Sequence, residues 1–386
     1  MKIKVEPKKF IDSVKWVTKV LDKKGNNSHI LLKVDSDGQS TLSYNGANAF
    51  MSVPLEIKST DFSDEDSSST SIPIDGAFLQ KLVQGLPKTG DIIITGRRGT
   101  PLQVTTKTGK FTVPTFKTKI KASPATVCVG ETDINDYFDA LTRSAKMCGT
   151  KENIRHRYVD TVDVSFCEDE KKIRIYSSDS FVSFETYVDY APTGRSSNQG
   201  YLLIPEQYAS IAYTSKDYTG VVRILEEIGN SGKTYRGGYE FEDGRIALFP
   251  LKDTKRCPLY KVRALDDMQA NQTEAEVVVS TSEITSAIRN IDALARGTED
   301  IIISLEDRSL TVSCGENAIT VPTIENSEDP SFTEPFDRST LKKSFLPINS
   351  RTVKMSFAKI AVRLNSVSST DGANILFAVK RYRNES

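Results

Sequence analysis

The sequence predicts an α+β fold of three similar domains, each with two helices and antiparallel strands. The first observation is a length of 386 residues, which exceeds what one hydrophobic core usually supports. The second is a unit that recurs about six times, an amphipathic helix followed by alternating strands. The third is a repeated strand ending, since Phe111-Thr-Val-Pro114 returns as Ile319-Thr-Val-Pro322. Pairing consecutive units places the domains at residues 1–122, 123–264 and 265–386.

Six helices are predicted from apolar residues at helical spacing. Each starts at an Asp, Ser, Thr or Pro signal or at the beginning of the chain. Their starts are separated by roughly 55 to 77 residues, as in a repeat architecture. The predicted helices cover residues 8–22, 75–86, 132–148, 205–215, 282–296 and 337–346.

Strands are predicted between the helices, so that a small antiparallel sheet follows each helix. Polar or proline-bearing segments at 59–70, 192–200, 266–273 and 325–335 are typical of loops or linkers. The alternative interpretation is that modules of a helix and a sheet are common and that the recurring Val-Pro strand endings are a coincidence. The clearest strands are residues 91–95, 172–176, 300–304 and 361–364, and the strand endings are 50–54, 111–114, 246–250, 319–322 and 377–379.

Composition limits the possible classes of function. The chain has 51 basic and 51 acidic side chains, so contact with nucleic acid requires an uneven placement of charge. Five cysteines without a CxxC pair favour reduced core thiols over disulfides or a thiolate metal site. The N-terminus alternates charged and apolar residues, and no later stretch reaches membrane-spanning length. We therefore expect a soluble, cytoplasmic protein without a membrane partner.

Catalytic patterns are scarce. His29 and His156 are the two histidines of the chain, which leaves little material for a histidine-based metal site or a Ser-His-Asp arrangement. The run Gly232-Lys233-Thr234 resembles the end of a phosphate loop, but Glu227 stands where the loop needs a glycine. We expect no enzyme activity, no metal and no cofactor.

Several helices carry basic residues opposite their apolar face. In the first helix Phe10 and Val14 belong to the apolar stripe. One such face alone is typical of solvated surface. Basic faces on several equivalent helices predict a wall that follows phosphates without reading bases. The basic residues assigned to this wall are Lys8, Lys15, Lys19, Lys23, Arg143, Arg289, Arg296, Lys342 and Lys343.

Four short segments resemble the bacterial sliding clamp, the DNA polymerase III beta subunit family. The order and spacing of the segments carry the resemblance, which covers the whole chain. It implies a ring-forming homodimer of three clamp domains per subunit around double-stranded DNA, with a replicative polymerase and a clamp-loader ATPase as partners. The segments are Met1-Lys-Ile-Lys-Val-Glu6 with Lys24, Leu79-Gln-Lys-Leu-Val83 with Leu86-Pro87, Gly109-Lys-Phe-Thr-Val113, and Cys257-Pro258-Leu-Tyr260.

The resemblance also implies roles for individual positions. Lys24 and Lys146 join the DNA-contacting residues, and the subunit edge formed by Phe111 and Val113 meets the helix end at Ala293 and Leu294 of a second copy. A pocket for a partner peptide is expected to involve Ser178, Asp179, Ser180, Phe181, Val182, Pro258, Tyr260, Ile360, Val379 and Tyr382.

This chain departs from the family at that pocket. Ser178-Asp-Ser-Phe-Val182 replaces the usual Thr-Asp-Gly-His-Arg, and the tail Lys380-Arg-Tyr-Arg-Asn-Glu-Ser386 replaces Met-Pro-Met-Arg-Leu. A divergent member, bacterial or phage-encoded, with its own partner specificity is therefore expected. The main rival interpretation is a non-enzymatic structural or assembly protein built from similar repeats, which would lack the basic wall.

Overall fold

The protein is described by a computed structural model. The residues described are 1–21, 29–35, 37–47, 49–62, 69–117, 123–149, 160–179, 182–195, 197, 200–209, 219–229, 234–252, 273–297, 299–306, 309–326, 332–358, 361–366 and 374–378.

The six predicted helices are confirmed, each close to its predicted start. Carboxylates of Asp75, Asp133 and Asp337 accept backbone N–H groups at the starts of three of them, which satisfies otherwise unpaired donors. The helices of the described residues are α1 Pro7–Thr18, α2 Gly76–Leu82, α3 Ile134–Ala145, α4 Glu206–Ala209, α5 Thr281–Leu294 and α6 Arg338–Ser344.

Strands fill most of the remaining described chain. The predicted strands are confirmed within the described residues, and Val379, predicted to end the last of them, lies outside those residues. Strands of the first half are β1 Lys2–Val5, β2 His29–Asp35, β3 Ser40–Asn45, β4 Phe50–Pro54, β5 Ile57–Asp61, β6 Ser69–Asp75, β7 Ile92–Thr95, β8 Leu102–Thr105, β9 Lys110–Val113, β10 Thr126–Asp133, β11 Thr161–Cys167, β12 Lys172–Ser178, β13 Val182–Asp189 and β14 Ala191–Pro192. Strands of the second half are β15 Tyr201–Pro205, β16 Val221–Ile228, β17 Thr234–Phe241, β18 Ile246–Pro250, β19 Thr273–Ser280, β20 Ile301–Glu306, β21 Ser309–Cys314, β22 Asn317–Val321, β23 Thr323–Asn326, β24 Phe332–Phe336, β25 Thr352–Ala358, β26 Ala361–Ser366 and β27 Asn374–Ala378.

The chain forms two compact units. Unit 1 comprises residues 1–132, 192–198 and 219–251, and unit 2 comprises residues 133–191, 199–218 and 252–386. The predicted domain boundaries near 122 and 264 both lie outside the described residues. The division into three domains therefore stays a prediction.

Unit 1 is built on two sheets. A five-stranded sheet has the order β5-β1-β7-β8-β9, and a nine-stranded sheet has the order β14-β10-β16-β17-β18-β4-β3-β2-β6. Helix α1 turns Phe10, Val14 and Val17 into the core because these residues recur at helical spacing. The unit 1 core also contains Tyr44 and Tyr239, both about 1% exposed or less.

Unit 2 repeats this arrangement. Its nine-stranded sheet has the order β15-β11-β12-β13-β27-β26-β25-β19-β23, and its four-stranded sheet has the order β22-β21-β20-β24. Helix α5 packs Ile284, Ile288 and Ile291 into a cluster that also includes Phe336 and Phe357. A helix thus covers one face of strands in each unit, as an α+β fold requires.

The expectation of one small sheet per helix is wrong. Strands from separate repeats join edge to edge into the nine-stranded sheets: β4 pairs with β18, with Phe50 opposite Leu248, and β13 pairs with β27. Joining the edges satisfies backbone groups that two separate small sheets would leave exposed. A per-repeat sequence pattern cannot reveal this, because each edge finds its partner far along the chain.

His29 should make the stability of unit 1 depend on pH. Its ring lies 4.0 Å from the Phe116 ring, and burial lowers its pKa, although the charge of Asp75 acts in the opposite direction. The neutral imidazole is therefore favoured in the folded state. Stability from this group is present above the unfolded pKa of about 6.5 and is lost as the pH falls through the lower folded value.

We expect the unfolding temperature of the wild type to fall more steeply between about pH 7 and about pH 5 than that of His29→Phe, which keeps the aromatic contact and cannot titrate. Differential scanning calorimetry of both proteins checks this. Parallel pH curves would contradict the assignment to His29.

Candidate functional site

Helix α1 presents a partly basic surface. Lys8 and Lys15 are exposed, while Lys9 forms an ion pair with Glu56. The predicted residues Lys23 and Lys24 lie outside the described residues. Lys8 and Lys15 are therefore exposed on α1, as the sequence predicts, and their contact with DNA stays a prediction.

Lys19 differs from that expectation. It is only partly exposed, and its Nζ lies 4.8 Å from the centroid of the Trp16 ring. The guanidinium of Arg245, in the turn between β17 and β18, packs on the same ring at 5.3 Å. Burial, followed by the charge of Arg245, lowers the pKa of Lys19 to about 8. Lys19 directly follows Thr18, the last residue of α1. Its side chain packs on the face of the Trp16 ring, because the lysine stem is apolar and the ammonium is attracted to the aromatic ring.

Arg143 is a second correction. Sequence spacing places it opposite the apolar stripe of α3, but its residue exposure is 5%. Its Nε is 2.8 Å from Asp139 Oδ2, and its guanidinium packs over Phe184 at 5.6 Å. A buried, ion-paired arginine stabilises the packing of α3 on β13 rather than facing solvent. Lys146, just after α3, is exposed as expected.

Lys343 is a third correction. Its ammonium donates to the carbonyls of Met147 at 3.2 Å and Cys148 at 3.0 Å, and it forms an ion pair with Asp179. This lysine therefore ties α6 to the end of α3 and to the turn after β12. Sequence reasoning missed the contact because its partners are far apart in the chain.

The neighbouring Lys342 stays exposed. Its Nζ is 2.6 Å from Asp292 Oδ2, and Asp292 also binds Arg338. The hydrogen bond from Lys342 is the largest cause that lowers the pKa of Asp292. On α5 and just beyond it, Arg289 and Arg296 are exposed as predicted.

The predicted partner-peptide residues are only partly described. Ser178 and Val182 are about 1% exposed, and Asp179 accepts the Val182 N–H at 2.8 Å. Asp179 thus stabilises its own turn through this hydrogen bond and links the turn to α6 through its ion pair with Lys343. The predicted pocket residues outside the described part of the chain are Ser180, Phe181, Pro258, Tyr260, Ile360, Val379 and Tyr382.

Each of the two smaller sheets has two edge strands, and one edge of each concerns the predicted subunit contact. β9 is an edge of the five-stranded sheet, and β22 is an edge of the four-stranded sheet. Phe111 on β9 is partly exposed, whereas Val113 is 0% exposed and belongs to the core. Val113 can therefore offer its backbone at this edge, but not its side chain. Near β22, Leu294 is 56% exposed and Ala293 is also exposed.

Charge differs between these two edges. Lys107, Lys110 and Lys117 are exposed on and beside β9. Glu316 is exposed just before β22, and Glu325 is exposed shortly after it in the sequence, on β23. Sequence analysis did not assign these residues. The signal was available, because the matching Thr-Val-Pro endings mark both strands and the flanking charges can be read beside them.

Buried thiols should resist alkylation. Burial, the largest cause, raises the pKa of Cys148 far above its usual range, and burial also raises that of Cys314. The thiolate is the reactive form, so both should react with iodoacetamide at least about tenfold more slowly than the partly exposed Cys128 and Cys167. Mass spectrometry after timed labelling checks this. Fast labelling of Cys148 without unfolding would contradict its burial.

Within the described residues, no group of three or more His, Cys, Asp or Glu side chains could hold a metal ion. Likewise, none of the described helices is long and apolar enough to span a membrane.

Comparison with solved structures shows the fold. The chain is similar to the DNA polymerase sliding clamp of Pseudomonas aeruginosa, with 14% identity, 99% of both chains covered and a TM-score of 0.79. The Bacillus subtilis sliding clamp has 13% sequence identity to this chain, 99% of both chains covered and a TM-score of 0.78. The DNA polymerase beta subunit of Streptococcus pyogenes has 14% identity, with 98% of this chain and 99% of that chain covered, and a TM-score of 0.78. No family model and no curated protein sequence matches the chain. Its full length thus has the sliding-clamp fold predicted from the sequence.

Proposed function

We propose that this chain is a DNA polymerase processivity factor, a sliding clamp that closes with a second copy around duplex DNA. The observation that carries the proposal is the similarity of fold to sliding clamps over 98–100% of this chain. The proposed role is non-catalytic and cytoplasmic. A separate ATPase would load the ring, and a replicative polymerase would bind it.

Ring closure would join β9 of one copy to β22 of the other. Each edge has unpaired backbone donors and acceptors that the opposite edge can satisfy. The partly exposed side chains of Phe111 and Ile319 would be covered, together with Leu294. This contact joins different surfaces of the two copies, so two of them close a ring only if the rotation between subunits allows it.

Charge supports the pairing of unlike edges. The lysines of β9 would face Glu316 and Glu325 of the other copy, whichever way the strands run, because both ends of each edge carry the same sign of charge. Two β9 edges, or two β22 edges, would repel each other. The charge pattern thus favours a head-to-tail dimer over the alternatives.

DNA would be held by enclosure and by weak contacts with phosphates. The exposed residues Lys8, Lys15 and Lys146 and the exposed arginines Arg289 and Arg296 suit this role, and Lys342 remains a further candidate. Weak, salt-sensitive contacts permit sliding, since each one adds little affinity. Arg143 and Lys343 are not included, because their side chains are held within unit 2.

Partner proteins would bind through an extended peptide. The turn containing Ser178, Asp179 and Val182 is the described part of this pocket, and its remaining residues stay predictions. A peptide on a ring that surrounds DNA raises the effective concentration of the polymerase at the primer end, so modest affinity suffices for processive synthesis.

Electron microscopy and a topological assay test the proposal. Negative-stain images of the purified protein, classified without imposed symmetry, should show a flat ring with an open centre. After a clamp-loader ATPase and ATP have loaded the protein onto nicked circular duplex, it should stay bound in gel filtration at high salt and run off the same DNA once it is linearised. Equal retention on circular and linear DNA, or solid particles at every concentration, would overturn the proposal.

A structural or assembly protein with the same repeats is the second candidate. Such a protein would be retained equally on circular and linear DNA, and its assembly would not require the exposed basic residues. Replacing Lys8, Lys15 and Lys146 by Gln together separates the two functions. A clamp with these changes keeps its fold but no longer supports processive synthesis, whereas an assembly protein forms its normal particles.

A further inference from the structure

We propose that Arg338 is a positioning residue for the contact between subunits, because it fixes the end of α5 that carries the exposed Leu294. The inference rests on the proposed function, in which β22 and Leu294 of one copy meet β9 of the other. It goes beyond that function by assigning a role to Arg338, which lies on α6 and which sequence analysis did not assign.

The end of α5 presents two exposed residues. Leu294 is 56% exposed, and Ala293 before it is exposed as well. The helix ends at Leu294, since the next residue, Ala295, has an extended backbone. Helix α5 packs on β22, so this end lies beside the strand edge that ring closure would use. A helix end that frays would have to become ordered on association, which lowers affinity.

Arg338 binds the chain on both sides of this exposed pair. Its Nε donates to Asp292 Oδ1 at 2.7 Å, and its Nη2 donates to the Asp292 carbonyl at 2.8 Å. Its Nη1 donates to the Gly297 carbonyl at 3.0 Å. The Asp292 carbonyl is one of the last four of α5, which have no acceptor role within the helix. The guanidinium therefore bridges Asp292 and Gly297 and holds the segment between them.

Electrostatics explain why a cation occupies this position. Arg338 is the first residue of α6, where the helix dipole disfavours a positive charge. The C-terminus of α5 and the Asp292 carboxylate both attract a cation and offset this cost. The position of Arg338 is thus favourable through its contacts with α5 and not through its own helix.

Lys342 offers an internal comparison, because it binds the same carboxylate from the same helix. Its Nζ lies 2.6 Å from Asp292 Oδ2, and among the described residues this carboxylate is its one hydrogen-bond partner. Only the planar guanidinium of Arg338 also reaches the backbone carbonyls at the end of α5. Positioning of Leu294 should therefore depend on Arg338 far more than on Lys342.

Sedimentation equilibrium of the full chain without DNA tests the inference. Arg338→Met removes the charge and the three hydrogen bonds but keeps a long apolar side chain. We expect it to raise the dimer dissociation constant about tenfold or more, because the end of α5 must then become ordered on association. Lys342→Met is the matched control and should change the constant by no more than about twofold. Circular dichroism spectra of both variants should match the wild type.

Arg338→Lys keeps the fold testable if Arg338→Met does not fold. It retains the positive charge beside Asp292, but an ammonium cannot reproduce the planar set of three hydrogen bonds. We expect it to raise the dissociation constant at least about threefold.

A double-mutant cycle distinguishes positioning from a general loss of stability. If Arg338 acts through Leu294, its replacement should matter little once the Leu294 side chain is removed. In a Leu294→Ala background, Arg338→Met should therefore raise the dissociation constant less than about threefold further. A merely structural role would make the two effects multiply in the dissociation constant.

Three results would overturn the inference. They are a wild-type dissociation constant in the Arg338 variants, an equal increase in Lys342→Met, and independent effects of Arg338→Met and Leu294→Ala. A wild type that stays monomeric at every concentration would overturn the proposed ring together with this inference. A wild-type dimer that Arg338→Met leaves unchanged would overturn this inference alone.

Discussion

Reversing the charge of one edge should abolish the proposed head-to-tail dimer, and mixing complementary reversals should restore it. One variant carries Lys107→Glu, Lys110→Glu and Lys117→Glu, and the other carries Glu316→Lys and Glu325→Lys. Each alone places like charges on both of its closing edges. Like-charge contacts of this kind cost about 2 to 4 kcal/mol at each interface, or about 30- to 1,000-fold in affinity. Each variant should therefore sediment as a monomer at concentrations where the wild type is a dimer.

Mixing the two charge-reversal variants is the decisive experiment. In the mixed dimer, the acidic β9 of the first variant meets the basic β22 of the second, and the other interface keeps its wild-type charges. Analytical ultracentrifugation of an equal mixture should therefore show the dimer again. A double reversal at Lys8→Glu and Lys15→Glu, on α1, controls for net charge and should leave the dimer intact. Dimers in either edge variant alone would disprove pairing through β9 and β22.

Replacing Lys343 by Ala should destabilise unit 2 far more than replacing Lys342. Lys343 is 21% exposed and its partner Asp179 is 14% exposed, so the variant removes the ammonium from two carbonyls and from a poorly hydrated carboxylate that keeps its hydrogen bond from the Val182 N–H. Such losses cost about 2 to 4 kcal/mol. Lys342 is 48% exposed, and Arg338 still holds Asp292 in its absence, so its loss should cost less than about 1 kcal/mol.

Urea unfolding followed by circular dichroism compares these adjacent lysines in the same helix. Asp179→Asn combined with Lys343→Met removes both charges and should recover part of the loss, because no buried charge is then left alone. Equal midpoints for Lys342→Ala and Lys343→Ala would show that the contacts of Lys343 contribute nothing to stability.

Local patterns predicted the elements well, because helix periodicity, start signals and strand alternation act within a few residues. Asp75, Asp133 and Asp337 start helices where the sequence indicates. The order of these elements predicted a repeated α+β chain, and the clamp fold came from the resemblance of short segments to the family. The partner of an edge strand can lie far away in the sequence, so local patterns could not predict that β4 pairs with β18.

The candidate sites were harder to predict for the same reason. Helical spacing alone cannot show that Phe184 and Asp139 bury Arg143, or that Asp179 captures Lys343. Long cationic side chains have apolar stems, so they pack against any aromatic or carboxylate that the fold brings close. Lys8, Lys15 and Arg289 are exposed, as helical spacing predicts.

The joined sheets also constrain how the protein matures on the ribosome. β4 emerges early but must wait for β18 to cover its edge, and β13 must wait for β27 near the end of the chain. Pairings between such distant segments slow folding and leave strand edges open in nascent intermediates. Premature termination just before β27 would therefore release chains with an exposed sheet edge. Such fragments are natural substrates for chaperones and aggregate when these are scarce.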